Sequence, residues 1–320
     1  MDNDASILVA TEVVIRPTVA YTTRVAINEV KLIGREENAL LSPVIMIDPP
    51  LGVETRGGNK TYQDYTYEMA AEVINMERNI LITGDHEDFY DTREGMSTAG
   101  VYDGVYRVSY ARVEYCGQDI GGFKSRQSVN AYCMHLHHLS HCPDCLVEGN
   151  AIEHMFMAGI NLHDTHDALV HRNVVLTSSK VRGSFYTEDG NEINNTLSQN
   201  VAICASSRYD QCGVGYYLIG MHNIFLENHA AGYAIAVYTN GGGSGQGPAA
   251  GLSCPIHTPF LRFERNVLHD SGKWSLYLGN LDVRNPQQDV NGFVRDRCVA
   301  ALDLVTSMLA SLPPFLLASC

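Results

Sequence analysis

The sequence predicts an all-β fold, a right-handed parallel β-helix, and two observations support that prediction. A short phrase of apolar residue, polar residues, asparagine and apolar residue recurs along the chain. Its asparagines are Asn150, Asn173, Asn200, Asn228 and Asn266. Between them lie short β-prone runs, such as Gly183–Tyr186 and Tyr233–Tyr238, and no long run has helical periodicity. Strands therefore dominate the fold.

The spacing of these asparagines gives the length of the repeat. Successive asparagines are 23, 27, 28 and 38 residues apart, and the longest interval becomes 27 without the 11-residue glycine-rich insertion Gly241–Gly251. A period of about 20 to 30 residues is typical of a solenoid in which each coil covers the core of its neighbour. Asparagine suits the turn because its side chain bonds nearby backbone and tolerates the left-handed conformation. We expect the asparagines to stack along one corner; the alternative is an antiparallel sandwich with coincidental asparagine turns.

The repeat divides the chain into three segments. Residues 71–282 are predicted to form the parallel β-helix, and residues 1–70 a cap or the remnant of an upstream β domain. Residues 283–320 are predicted to form a C-terminal tail or cap, in which Asp303 and the Pro313-Pro314 pair argue against a membrane span. The first residues lack the basic and apolar regions of a secretory signal.

Charge and cysteine content limit the partners. A formal net charge of −14 opposes binding to nucleic acid or to an anionic membrane, so a polyanionic ligand needs a local basic patch or a bound cation. Nine cysteines include the close pairs Cys142/Cys145 and Cys204/Cys212, which are either disulfides of an oxidising compartment or buried thiols. The first pair could also bind zinc together with His138 or His141.

Five phrases in a fixed order resemble a known family. They are Ala71–Gly84, Arg112–Gln118 (RVEYCGQ), Tyr132–His137 (YCMHLH), Leu162–His166 (LHDTH) and Phe185–Gly190 (FYTEDG). The series resembles the family of the cell-migration-inducing hyaluronan-binding protein, the transmembrane hyaluronidase and fibrocystin-L, although Cys133 stands where that family has Pro and Asp164 where it has Gly. The resemblance implies an extracellular or cell-surface β-helix that binds a polysaccharide or depolymerises it.

Histidines are concentrated in the same part of the chain. Eight of the 13 lie in residues 135–171, and His135 and His137 point to one face of a strand. Aligning Met134–His137 with Ile160–His163 places His137 over His163. Since neighbouring coils lie about 4.8 Å apart, aligned groups form one patch.

Counting from the asparagines extends the patch to a third coil. His163 and Tyr186 each fall 13 positions after an asparagine, and His166 and Asp189 each fall 16 positions after one. The candidate catalytic residues are His135, His137, His163, His166, Glu188 and Asp189. The candidate ligands of a divalent metal ion are His137, His163, His166 and Asp189. The candidate substrate-binding residues are Arg126, Arg182 and Tyr186.

Other interpretations of these side chains remain open. The histidines could form hydrogen-bonded ladders that stabilise the solenoid, and we expect His138, His141, His154 and His171 to be solvated or structural. The acidic run 85–94 could bind calcium or form a charged loop.

The sequence is consistent with two alternative functions. The first is a carbohydrate-active enzyme, a hydrolase or lyase that cleaves a hyaluronan-like uronic-acid polymer. The second is a noncatalytic β-helical ectodomain that binds glycan or protein. Glu188 and Asp189 are too close in sequence to be assumed to form the flanking carboxylate pair of a glycosidase.

Overall fold

The computed structural model describes residues 11–18, 21–33, 42–48, 58–62, 65–69, 72–119, 131–177, 182–206, 212–240, 255 and 260–279. The chain divides into two compact units, residues 1–77 and 78–320. The predicted tail, residues 283–320, lies outside the described residues. No helix in the described ranges is long and apolar enough to cross a membrane.

The first unit consists of antiparallel strands. These are β1 (Thr11–Thr18), β2 (Tyr21–Ile33), β3 (Ser42–Asp48), β4 (Gly58–Tyr62), β5 (Tyr65–Met69) and β6 (Glu72–Asn75). Four of them form a sheet in the order β3-β2-β1-β6, and β4 pairs with β5. The strand β6 lies within residues 71–282, the segment predicted to form the β-helix, but it pairs antiparallel with β1 of the first unit.

The second unit is a parallel β-helix, as predicted. Its first sheet contains β7 (Ile80–Thr83), β10 (Ala111–Cys116), β13 (Ala151–Met155), β16 (Val174–Thr177), β19 (Val201–Cys204), β22 (His229–Ala231) and β25 (Val267–His269). Its second sheet contains β8 (Thr98–Val101), β11 (Met134–His141), β14 (Ala158–His166), β17 (Gly183–Thr187), β20 (Val214–Leu218), β23 (Ile235–Asn240) and β26 (Trp274–Gly279). Its third sheet contains β9 (Arg107–Ser109), β12 (Leu146–Glu148), β15 (Leu169–His171), β18 (Thr196–Ser198), β21 (Ile224–Leu226) and β24 (Arg262–Glu264). One short helix, α1 (Phe89–Thr92), lies between β7 and β8.

The core of the β-helix consists of stacked apolar side chains, one from each coil. In the first sheet the stack is Val113, Ile152, Val175, Ala202, Ala230 and Leu268, all buried. In the third sheet Val147, Val170, Leu197, Phe225 and Phe263 are stacked in the same way. Each coil thus buries the apolar face of the next, which is why the repeat must recur for the fold to be stable.

The repeat asparagines stack along the corner between the third and first sheets. From Asn173 to Asn266, each Oδ1 atom accepts hydrogen bonds from the backbone N–H and the side-chain amide of the preceding asparagine of the repeat, at 3.0 to 3.1 Å. The predicted stacking of these residues is confirmed. The left-handed residue of the turn, however, is the one before each asparagine, such as Gly149 or Arg172. The side-chain hydrogen bonds, and not backbone strain, therefore explain the choice of Asn.

A second, shorter ladder lies at the corner between the second and third sheets. Asn195 accepts a hydrogen bond from Ala168 N–H, and Asn223 accepts two from Asn195. Both asparagines are fully buried. Two corners of the β-helix are thus held by amide side chains.

Among the described residues, three disulfides lie in the core of the β-helix. The pairs Cys142–Cys145 and Cys204–Cys212, which the sequence singled out, are both bonded, and Cys116–Cys133 is a third. The zinc alternative for the first pair is wrong because both sulfur atoms are in the disulfide.

We expect Asn173→Ala to lower the free energy of unfolding of the β-helix by roughly 1–3 kcal/mol. Asn173 accepts hydrogen bonds from Asn150 and donates one to Val147 and one to Asn200, all in a fully buried corner. Urea unfolding followed by circular dichroism measures the change. The neighbouring Arg172→Ala removes an exposed side chain and is the control, with an expected change below about 0.5 kcal/mol. Equal effects of the two substitutions would contradict a stabilising amide ladder.

Candidate functional site

The outer face of the second sheet carries the histidines. In β11 the side chains of Met134 and Leu136 are buried in the core, so the alternate residues His135 and His137 point outward. The pairing of β11 with β14 places His137 opposite His163, as the sequence alignment predicts. The same register places His135 opposite Asn161.

A β-bulge in β11 brings a fourth histidine to this face. The register shifts between His137 and Ser140, so that two residues of β11 oppose the single residue Asp164 of β14. His138, Ser140 and Asp164 all have positive φ angles. The bulge turns His138 toward Asp164, 3.1 Å from Nδ1 to Oδ2, and its ring lies 4.2 Å from that of His163. His138, expected to be solvated or structural, is therefore part of the cluster.

Three imidazoles meet at close nitrogen-to-nitrogen distances. His137 Nδ1 lies 3.2 Å from His135 Nε2 and 3.1 Å from His163 Nδ1. His163 also lies between two carboxylates: Nδ1 is 3.4 Å from Glu188 Oε2, and Nε2 is 3.0 Å from Asp189 Oδ2. We call His135, His137, His138, His163, Glu188 and Asp189 the histidine cluster.

The residues of the third coil, which include Tyr186 and Asp189, are not opposite the residues that the count from the asparagines predicts. Tyr186 lies opposite Asn161 and not His163. Asp189 contacts His163 and not His166. The cause is the length of the corner between the first and second sheets. In one coil, Ile152 of the first sheet and Ala158 of the second are six positions apart. In the next coil, the residues paired with these two are 175 and 183, which are eight positions apart. The asparagine count does not register this two-residue difference.

His166 lies away from the histidine cluster. Its Nδ1 accepts a hydrogen bond from Ile193 N–H, and its Nε2 lies 3.7 Å from Asp164 Oδ1. The structure does not bring His166 together with His137, His163 and Asp189. Ile193, and not Asp189, lies beside this ring.

Glu188 is held by two donors that the sequence did not single out. Tyr132 donates its hydroxyl hydrogen to Oε1 at 2.8 Å, and Asn161 donates from Nδ2 to Oε2 at 2.7 Å. Burial and the neighbouring Glu188 raise the pKa of Tyr132 well above its ordinary value, so this phenol is a donor at neutral pH. Tyr132 begins the phrase YCMHLH, and Asn161 lies between two core residues. Neither sequence position indicates a contact with Glu188, so only the register of the coils shows that both residues meet it.

The histidine cluster is recessed and not a laterally exposed patch. His135 is 8% exposed and Asp189 2% exposed, whereas His137 and His163 are partly exposed. Burial, and then the neighbouring imidazoles, lower the pKa of His135 to about 3 and also lower the pKa of His137. Burial would lower the pKa of His163, but Asp189 and Glu188 outweigh it and raise the pKa. His135 and His137 are therefore neutral and offer nitrogen lone pairs.

The predicted substrate-binding residues are placed differently from one another. Tyr186 is 1% exposed and cannot meet a large ligand directly; instead its hydroxyl accepts a hydrogen bond from Arg182 at 3.2 Å. The Arg182 guanidinium also lies over the Tyr186 ring, 5.4 Å from its centre. Arg126 lies outside the described residues.

Comparison with known proteins relates this region to a family. The family model of the CEMIP β-helix matches residues 106–213. Over 281 residues the chain is 25% identical to mouse fibrocystin-L and 24% identical to human fibrocystin-L. The β-helix is thus related to the CEMIP and fibrocystin-L family.

The relatives are much longer than this chain. The matches to mouse and human fibrocystin-L cover 73% of this chain but 6% of either relative. A G8 domain-containing protein of Dictyostelium discoideum is 25% identical over 72% of this chain and 21% of its own length. The part that matches the CEMIP β-helix nevertheless contains the whole histidine cluster, since that cluster lies within residues 135–189.

In this CEMIP-related coil a buried carboxylate fixes the loop that carries Asp189. Glu192 Oε1 accepts hydrogen bonds from the backbone N–H groups of Asp189 and Asp164, at 2.7 and 3.2 Å, and Oε2 accepts one from Gly190 at 2.9 Å. Burial raises the pKa of Glu192 to about 7, although these N–H groups oppose the shift. A Cβ atom at Gly220 would collide with this carboxylate, so glycine is required there. Glu192 thereby joins Asp164 of β14, the residue opposite the β11 bulge, to the loop after β17.

We expect Glu192→Gln to lower the free energy of unfolding by roughly 1–3 kcal/mol. The amide nitrogen of Gln cannot accept the backbone hydrogen bonds that one carboxylate oxygen accepts now. Chemical denaturation measures the loss, and Glu87→Gln in an exposed loop is the matched control. A Glu192→Gln variant as stable as Glu87→Gln would show that the carboxylate does not fix the loop.

Proposed function

We propose that this chain is an extracellular, glycan-directed β-helix protein that depolymerises an anionic, hyaluronan-like polysaccharide at the histidine cluster. The observation that carries the proposal is the meeting of His137, His163 and Glu188 at the outer face of the second sheet. Support for the location comes from the three disulfides, which persist in oxidising compartments. Support for the substrate class comes from the relation to the CEMIP β-helix.

The geometry favours acid–base chemistry by an imidazole and one carboxylate. Glu188 and Asp189 lie at opposite nitrogens of the same His163 ring, and Asp189 is buried. A glycosidase with two flanking carboxylates instead needs both groups to reach the scissile bond from opposite faces of the sugar. Asp189 therefore serves to orient His163, while Glu188 and His163 exchange protons with the substrate or with water.

Arginine and tyrosine side chains next to the cluster offer groups for an anionic sugar. Arg182 is held by Tyr186 one coil away from His163. On the same outer face Tyr186, Tyr217, Tyr238 and Tyr277 follow one another, with ring centres 5.2, 5.1 and 5.1 Å apart. The last three rings are partly exposed, and the last two are stacked on each other. A polysaccharide lying along the axis of the β-helix would meet this tyrosine strip and the histidine cluster together.

The catalytic part of the proposal predicts that Glu188→Gln and His163→Ala each reduce polysaccharide cleavage by at least 100-fold, because loss of general acid–base catalysis costs about 10²–10⁴-fold in rate. The measurement is the size distribution of products after incubating the purified chain with hyaluronan and other polysaccharides, with and without a chelator. The control is His171→Ala, which removes a histidine of the third sheet that bonds Ser198. Wild-type cleavage by a folded Glu188→Gln variant would exclude the catalytic role of Glu188.

The tyrosine strip also favours a second function, binding without cleavage. We expect Tyr238→Ala to weaken polysaccharide binding about tenfold, which corresponds to about 1.4 kcal/mol. Affinity measured with size-defined oligosaccharides tests this, and Tyr110→Ala, an exposed tyrosine outside the strip, is the control. Binding that is lost in Tyr238→Ala while no polysaccharide is cut would identify a noncatalytic glycan-binding ectodomain. Unchanged binding would remove the strip from the ligand path.

A further inference from the structure

We infer that His135, His137 and His163 form a binding site for a divalent transition-metal ion of the zinc type. The ligand atoms would be Nε2 of His135 and Nδ1 of His137 and of His163. One ligand atom from each of these three residues lies within 4.8 Å of the others. The inference rests on the proposed function for any catalytic use of the metal, and there it changes one role: His163 holds the ion, so Glu188 is the group that exchanges protons. The binding itself does not depend on a glycan.

The distances between the imidazole nitrogens match a tetrahedral centre. A metal ion with Zn–N bonds of about 2.0–2.1 Å at tetrahedral angles separates its nitrogen ligands by about 3.3 Å. The observed separations are 3.2 Å between His135 and His137 and 3.1 Å between His137 and His163. The third pair, His135 and His163, lies within the same 4.8 Å limit.

Hydrogen bonds among the three rings do not account for these contacts. A neutral imidazole has one N–H donor and one acceptor nitrogen. His137 Nδ1 is a single atom with either a hydrogen or a lone pair, yet it meets two ring nitrogens at hydrogen-bonding distance. At most one of the two contacts is therefore a well-aligned hydrogen bond. A cation shared by three lone pairs removes this conflict.

Asp189 has the position of a carboxylate that supports a metal-bound histidine. It lies 3.0 Å from His163 Nε2, the nitrogen that would not bind the metal. Its Oδ2 atom is buried and accepts no well-aligned hydrogen bond, so the contact with His163 is mainly electrostatic. Metal-binding histidines usually donate their second N–H to such a carboxylate, which fixes the ring and its tautomer.

A second group, His138, His163 and Asp189, also has suitable spacing. It would compete with the first group for the His163 ring. We favour the three-histidine group because its ring nitrogens lie 3.1 and 3.2 Å apart, close to the separation in a tetrahedral zinc site. Three imidazoles also suit zinc better than calcium or magnesium, which prefer oxygen ligands.

The fourth position of the site faces Glu188. Its Oε2 atom lies 3.4 Å from His163 Nδ1, on the side of the ring where the metal would bind. Three histidines with one open position are typical of catalytic zinc, which lowers the pKa of a bound water to about 7. Glu188 can then accept a proton from that water or act as a fourth ligand.

The test is zinc binding by the full chain in the absence of any glycan. Chelator-treated protein is titrated with Zn²⁺ in competition with a chromophoric chelator, and Co²⁺ is used to record the visible spectrum of the site. We expect one tightly bound ion per chain and a tetrahedral Co²⁺ spectrum. His137→Ala and His163→Ala should each abolish tight binding, and Asp189→Asn should weaken it about 10- to 100-fold.

Two histidine controls distinguish this site from other imidazoles. His171→Ala and His166→Ala should retain wild-type zinc affinity, because both rings lie outside the three-histidine group. Circular dichroism shows whether each variant folds, and the Co²⁺ spectrum of the wild-type chain tests the site even if the histidine variants do not fold. Absence of stoichiometric zinc binding by wild type, or wild-type affinity in folded His137→Ala and His163→Ala, would overturn the inference.

Zinc binding and polysaccharide cleavage can be confirmed or excluded independently of each other. Tight zinc binding without polysaccharide cleavage would retain the metal site and remove the enzymatic proposal. Cleavage that resists chelation, by a chain that binds no zinc, would retain the enzymatic proposal and remove the metal site.

Discussion

The register of the parallel coils is the constraint on which the other features of the β-helix depend. Parallel strands have no hairpin turn to fix their alignment, and a shift by one residue would move every core side chain to the outer face. The buried asparagines resist such a shift because each Oδ1 atom must accept from both the backbone N–H and the side-chain amide of the asparagine in the preceding coil. Leaving these groups unpaired in the core costs about 1–3 kcal/mol for each group. The corner therefore selects one alignment of neighbouring coils.

Fixed register is also what allows a functional site to form from distant parts of the chain. His137 and His163 are 26 residues apart in sequence, and their ring nitrogens lie 3.1 Å apart because their strands are paired neighbours. The regular repeat is interrupted near these rings by the bulge at His138 and by the loop that the hydrogen bonds of Glu192 hold in place. Bulges next to functional sites commonly re-aim side chains in this way. Regular coils supply the rigid support, and the irregular residues supply the chemistry.

Sequence patterns predict the fold better than they predict the site. The recurring phrases identify the solenoid and the asparagine stack, and the alignment of Met134–His137 with Ile160–His163 identifies the pairing of His137 with His163. The role of His138 depends on a one-residue bulge, and that of Asp189 on a corner two residues longer than its neighbour, neither of which changes the recurring phrase. Tyr132, Asn161 and Glu192 are ordinary residues in sequence whose partners lie 27 to 56 residues away or in a buried loop. Site geometry is set by such local departures, so a periodic pattern cannot supply it.

The negative charge of the site opposes the binding of an anionic ligand, and neighbouring positive groups can compensate for it. The chain has a net charge of −14, and the carboxylates of Glu188, Asp189 and Glu192 lie close to the imidazoles. An anionic polysaccharide approaching this face would be repelled unless positive charge is added locally. Arg182, held over the Tyr186 ring, is one such charge, and its position beside the buried tyrosines keeps it from moving into solvent. A divalent cation bound by the three imidazoles would add positive charge where the carboxylates converge. An acidic protein can thus present an electropositive point to an acidic polymer without a basic surface, and the recessed geometry limits the screening of that charge by salt.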